Sequence, residues 1–103
     1  MKPVLITGAA GFIGHHVVKH LEQTDTVVGL DNFTDYGYLN RDELAWLFEE
    51  RRAYIASPIE RADITEADEL DSVFARVQPK TVVHLASVPR QRLVNANPIL
   101  GNR

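Results

Sequence analysis

Apolar residues along this chain come either in short unbroken runs or at helical spacing, and the two kinds of segment alternate. Val4-Leu5-Ile6 and Thr26-Val27-Val28-Gly29-Leu30-Asp31 read as strands, the first covered on both faces. Between them Phe12, Ile13, Val17, Val18 and Leu21 predict a helix from about Phe12 to Gln23. Its core face is expected to be Ile13, Val17, Val18 and Leu21, and its wet face His16, Lys19, Glu22 and Gln23. Asn40-Arg41-Asp42-Glu43 looks like a capping box that opens a helix from Arg41 to about Arg52. That helix is expected to bury Leu44, Leu47 and Phe48, with Trp46 in core or rim packing. Pro58 and mixed polarity place a third strand, Ile59 to Ala62, on a sheet edge. Thr65 is expected to N-cap a helix, with Asp68 at N3, that buries Leu70, Val73, Phe74 and Val77 until Pro79 stops it. Thr81-Val82-Val83-His84-Leu85-Ala86-Ser87 reads as a fourth buried strand. The order β-α-β-α-β-α-β, with right-handed crossovers, predicts an α/β fold: a doubly wound parallel sheet of order 3-2-1-4 with helices on both faces.

One stretch of this pattern carries chemistry. Gly8, Gly11 and Gly14 follow the first strand at the spacing G-x-x-G-x-x-G and lead into the first helix. Glycines let the backbone bend sharply and approach a ligand closely. The helix that follows turns unpaired N–H groups and its positive dipole end to the same place, which suits a pyrophosphate. Gly8 is assigned to the tight turn, Gly11 to close approach of the diphosphate and Gly14 to close helix–strand packing. An ordinary glycine-rich βα loop would show the same spacing, so the motif needs a later acid. Asp31 ends the second strand, about 20 residues on, where a carboxylate accepts hydrogen bonds from an adenosine ribose and repels a 2′-phosphate. Asn32 and Phe33 follow it, so no arginine stands next to the acid, and NAD is expected over NADP. The polar, aromatic loop from Asn32 to Leu39 lies where the adenosine half would rest. Asp63-Ile64 closes the third strand near the adenine, and Ala86 and Ser87 line the crevice opposite Gly8.

Composition narrows the function classes. The 103 residues fit one small domain, and a net charge of −3 leaves no basic footprint for nucleic acid. Without cysteine there is no disulfide, thiolate nucleophile or thiolate metal site. His16 and His20 stand four apart with no recognisable third ligand, so no metal is expected and both are read as surface histidines. No segment is long enough to span a bilayer, and a soluble, cytoplasmic protein is expected.

Taken together, Thr7-Gly8-Ala9-Ala10-Gly11-Phe12-Ile13-Gly14, Gly29-Leu30-Asp31-Asn32, Asp63-Ile64 and His84-Leu85-Ala86-Ser87 resemble the extended short-chain dehydrogenases, and within them the NAD-dependent epimerase/dehydratase family acting on nucleotide-diphosphate sugars. The loop Asp31-Asn32-Phe33-Thr34-Asp35-Tyr36 is similar to that of UDP-glucuronate and UDP-galactose 4-epimerases. The resemblance implies a Rossmann-type fold, here incomplete relative to the full family fold, with NAD as cofactor and a nucleotide sugar as substrate of the complete protein. It implies that Gly8, Gly11 and Gly14, with the backbone of Phe12 and Ile13, hold the pyrophosphate. Asp31 and Asn32 would bind the adenosine ribose. Asp63 would contact adenine through its side chain and Ile64 through its backbone. Leu85, Ala86 and Ser87 would line the nicotinamide ribose end. The family's reaction moves a hydride from a sugar carbon to NAD+ and returns it.

The departure from the family is as informative. Its base is a tyrosine with a lysine four positions on; here the residues four beyond Tyr36, Tyr38 and Tyr54 are Asn40, Asp42 and Pro58. Without that pair no group is available to take a sugar hydroxyl proton, so no catalytic residue is assigned. Asn97-Pro98 reads as a helix start cut short at Arg103, and the chain is expected to be the amino-terminal portion of a longer enzyme. Arg90, Gln91 and Arg92 would face either a sugar diphosphate or solvent. A self-contained, non-catalytic dinucleotide-binding or redox-sensing module is the alternative, and a Rossmann-like interaction domain with an empty crevice a third. Strand 4 would be an open sheet edge, Val82-Val83-His84-Leu85, and self-association through it is expected.

Overall fold

A computed structural model describes residues 2–34 and 40–86. Its elements run β1 (Val4–Thr7), α1 (Phe12–Leu21), β2 (Val27–Asp31), α2 (Arg41–Tyr54), β3 (Ile59–Arg61), α3 (Ala67–Val77) and β4 (Thr81–His84). Ser87, Arg90, Gln91, Arg92, Asn97, Pro98, Tyr36 and Tyr38 lie outside the described residues.

The four strands form one parallel sheet in the order β3-β2-β1-β4. β1 sits in the middle, with Val4 opposite Val27 on one side and Thr81 on the other. The chain steps outward from β1 to β2 to β3, then crosses back to β4. Right-handed crossovers in opposite directions put their helices on opposite faces. The two cores reflect this. Val4, Ile6, Ala9, Val18, Val27 and Ile55 form one cluster, with Val17 and Leu21 of α1 packed against it. Leu5, Leu30, Ala62 and Val73 form the other, with Leu70, Phe74 and Val77 of α3 against it. The alternation in β1, Val4 and Ile6 to one side and Leu5 to the other, is the period of a strand buried on both faces. Leu5, Ile6, Leu30 and Val18 are fully enclosed, each contributing roughly 1.5–3 kcal/mol by leaving water.

Several local expectations are corrected. Ile13 is 64% exposed and does not belong to the core face of α1. Gly14, His15 and Val18 are the residues that helix buries, and Val17, Val18 and Leu21 are the ones that join the core cluster. β4 is not buried: Thr81, Val82 and His84 are exposed, because among the described residues only β1 pairs with it. α2 buries none of its side chains fully; Leu44, Leu47 and Phe48 are half-buried, and Trp46 stands 64% exposed rather than in core or rim packing. Thr65 does not cap α3. The N-cap is Glu66, with no side-chain hydrogen bond, while the Thr65 N–H and hydroxyl donate to Asp63 Oδ1 at 2.9 and 2.7 Å. Asp63 captures Thr65 in a local turn, which competes with capping. The cap of α2 forms at Asn40, whose side-chain oxygen accepts from Glu43 N–H at 2.8 Å.

Candidate functional site

The site forms where β1 leads into α1. Gly8 adopts φ +73°, the left-handed region, so the chain can turn under the end of the sheet. A Cβ on Gly8 would lie 2.9 Å from Ala86 N and 3.0 Å from Leu85 C, so the end of β4 runs directly across this glycine. A Cβ on Gly14 would lie 1.8 Å from Gly8 O, so α1 is seated on the turn itself rather than on the strand before it. Gly11 is the N-cap of α1 and differs from both: among the described residues, beyond Gly8 O at 3.1 Å its missing Cβ meets only open space.

α1 therefore starts with no side-chain cap and no acid in its first turn. Its first intrahelical bond is His15 N–H to Gly11 O at 3.1 Å, so the N–H groups of Phe12, Ile13 and Gly14 precede any helical acceptor. The side chains of Phe12 and Ile13 project outward, 70% and 64% exposed, and only their backbone faces the helix start. This is the arrangement that attracts an anion.

Asp31, at the end of β2, turns its carboxylate to the same loop. Oδ2 accepts from Ala10 N–H at 2.9 Å and Oδ1 from Phe33 N–H at 2.8 Å. A carboxylate has about four acceptor positions, two on each oxygen, and these bonds take one on each. Phe33 is buried at φ +59°, a conformation that costs a non-glycine residue roughly 1–2 kcal/mol. The bond to Asp31 holds it there, as do the Phe48 ring at 5.2 Å and the guanidiniums of Arg52 and Arg61, 4.4 and 4.8 Å from its centroid.

Asn32 and Asp63 meet beside this corner. The Thr65 hydroxyl and N–H hold the Asp63 carboxyl below its ordinary range, and the Asn32 side chain adds a hydrogen bond in the same direction. Ile64 packs against the α3-side core. On the other side of Gly8, the Thr7 hydroxyl accepts from Leu85 N–H at 3.0 Å and Ala86 N–H at 3.2 Å. The same hydroxyl lies 2.7 Å from His84 Nδ1, within hydrogen-bond reach. Leu85 and Ala86 are thereby fixed against the glycine turn.

Residues 4–100 match the NAD dependent epimerase/dehydratase family. The chain belongs to that family. It is 42% identical over 88 residues to dTDP-glucose 4,6-dehydratase of Neisseria gonorrhoeae, covering 84% of this chain and 24% of that protein. To UDP-glucuronate 4-epimerase 4 of Arabidopsis thaliana it is 40% identical over 98 residues, covering 92% of this chain and 21% of that one. Among solved structures, UDP-glucuronic acid 4-epimerase of Bacillus cereus, in complex with UDP-glucuronic acid and NAD, superposes with a TM-score of 0.63 at 31% identity. That match covers 91% of this chain and 29% of that one. This epimerase/dehydratase chain thus spans about a quarter of the length of its relatives.

Within the family frame, some participants were not singled out by the sequence. Thr7 carries no signal of its own beside the glycines, yet its hydroxyl joins the ends of β1 and β4. Gly29 is required because a Cβ there would lie 2.6 Å from the Ala9 Cβ; a glycine inside an apolar strand is the signal that would have found it. Arg51, whose Nη1 donates to Ala10 O at 2.7 Å from 41 residues away, had no local signal at all. No group of metal-ligating side chains occurs among the described residues, and no helix there is long and apolar enough to cross a membrane.

Proposed function

We propose that this chain binds NAD at the start of α1 and serves as the cofactor-holding portion of a nucleotide-diphosphate-sugar epimerase or dehydratase. The observation that carries the reading is the uncapped, acid-free opening of α1, behind a glycine with space in place of a Cβ and beside an inward-turned Asp31 carboxylate. The N–H groups of Phe12 and Ile13 take the pyrophosphate, and Gly11 admits it. Asp31 and Asn32 take the adenosine ribose, and Asp63 and Ile64 the adenine. Leu85, Ala86 and Ser87 border the nicotinamide ribose. The bound cofactor supplies hydride acceptance and return at a sugar carbon. The residues of this chain bind and orient it and move no proton, since none of the tyrosines has a lysine four positions on. Binding without turnover is the expected behaviour of these 103 residues.

Calorimetric titration with NAD and NADP tests the reading. The unmodified chain binds NAD and prefers it to NADP. Gly11→Val removes binding, because its side chain fills the diphosphate's place, and Asp31→Ala weakens NAD and narrows the preference. Unchanged affinity in Gly11→Val, or a preference of the unmodified chain for NADP, contradicts it.

A further inference from the structure

Arg51 stands outside every role assigned above, yet its side chain reaches into the glycine turn from α2. Its Nη1 donates to Ala10 O at 2.7 Å, while Asp31 Oδ2 accepts from Ala10 N–H at 2.9 Å. The two peptide units flanking Ala10 are thus each held by a charged side chain, of opposite sign, from a different element. Gly11 N–H, on the second of these units, donates to Gly8 O at 3.0 Å and closes the turn. Ala10 itself is fully buried, so the turn has no slack on that side. Burial lowers the Arg51 pKa and the Asp31 charge opposes this, so the two charges are near enough to interact; a guanidinium keeps its proton regardless.

This geometry matters to an anion. A peptide unit in a glycine-rich turn can rotate and present either its N–H or its carbonyl oxygen to a ligand. A carbonyl aimed at a diphosphate repels it. Arg51 keeps the Ala10 carbonyl turned toward α2, on the far side of Ala10 from the N–H that Asp31 holds. We propose that Arg51 is a positioning residue for the diphosphate: it orients the Ala10–Gly11 peptide so that the amides after it face the ligand. The inference rests on the dinucleotide reading above and adds to it a residue that does not touch the ligand.

The test titrates the 103-residue chain and two variants with NAD and with adenosine, which lacks the diphosphate. Arg51→Gln keeps the aliphatic stem and loses charge and reach; it should bind NAD about tenfold more weakly, the ratio expected for one charge-assisted hydrogen bond. Its affinity for adenosine should not change. Arg51→Lys, which retains a cationic donor, should recover most of the NAD affinity. Arg51→Gln binding NAD as tightly as the parent overturns the inference while leaving the dinucleotide reading intact. So does an equal loss for NAD and adenosine, which marks a merely structural role. A parent chain that binds no NAD overturns both.

Discussion

The three glycines of the turn share one motif, but the structure asks different things of each, and alanine at each position separates them. At Gly14 the added carbon falls 1.8 Å from Gly8 O and 2.8 Å from Gly8 C, both backbone atoms that cannot swing aside. α1 would have to lift off the turn. Forcing a carbon into a packed site of this kind costs about 3 kcal/mol, of which helix propensity returns about 1, leaving a net loss of about 2 kcal/mol. In a domain of this size that lowers the melting midpoint by about 8–16 °C. At Gly8 the φ of +73° adds roughly 1–2 kcal/mol of backbone strain, and the new carbon presses on the backbone of Leu85 and Ala86 at 2.9–3.1 Å. At Gly11 the conformation is ordinary and the nearest described atom, Gly8 O, lies at 3.1 Å; exchanging a glycine N-cap for the poorer alanine costs about 1 kcal/mol, half the loss expected at Gly14. Thermal unfolding followed by circular dichroism, paired with NAD titration of each variant, reads both consequences. Gly14→Ala and Gly8→Ala should melt well below the parent. Gly11→Ala should fall less than either and yet bind NAD more weakly than its smaller stability loss explains. A Gly14→Ala variant that melts within two or three degrees of the parent, about 0.5 kcal/mol, would refute the seating of α1 on Gly8.

Acid should unfold the protein through identifiable carboxylates. Burial works against the Glu22 charge, but the Ser57 hydroxyl and the Ala56 and Ser57 N–H groups outweigh it and lower its pKa below 4.5. The Thr65 hydroxyl and N–H lower that of Asp63 below 3.8. Because both folded values lie below the unfolded ones, their stabilisation is complete above the unfolded pKa and disappears as pH falls through the folded pKa. The melting midpoint should therefore drop between about pH 5 and about pH 2, and Glu22→Gln should flatten that slope; an equal slope in the variant contradicts the assignment. The outer edge of β4, with Val82 and Leu85 exposed, should drive concentration-dependent association of the 103-residue chain. Sedimentation should show it, and Val82→Lys should suppress it; a parent chain that stays monomeric at high concentration counts against the open edge.

The order of elements was legible because each apolar segment keeps one period: the unbroken run of Val4 to Ile6 needs cover on both faces, and the spacing of Leu70, Val73, Phe74 and Val77 needs one. The sheet order followed from chirality, and the glycine turn from spacing and context. What failed depended on where an element ends. Ile13 has helical spacing to Val17 and still lies in the open, since periodicity carries no information about which turns of a helix the rest of the fold covers. Val82 and Val83 have the composition of a central strand but sit at an edge. Thr65 has the chemistry of a cap and spends it on Asp63 two residues earlier. The sequence also placed no arginine beside Asp31, and none follows it; the fold nevertheless brings Arg51, Arg52 and Arg61 to that corner from α2 and β3. Local neighbours decide a turn, whereas the charge around a strand end is decided by what packs there.

The most direct measurement of the central claim is an amide-resolved NMR titration of the isotopically labelled chain with NAD. If the opening of α1 receives the diphosphate, the N–H resonances of Gly11, Phe12, Ile13 and Gly14 move together and saturably, joined by Asn32 near the ribose, while those of the α2 and α3 midsections stay in place. Movement confined to other surfaces, or none at saturating NAD, would contradict the account.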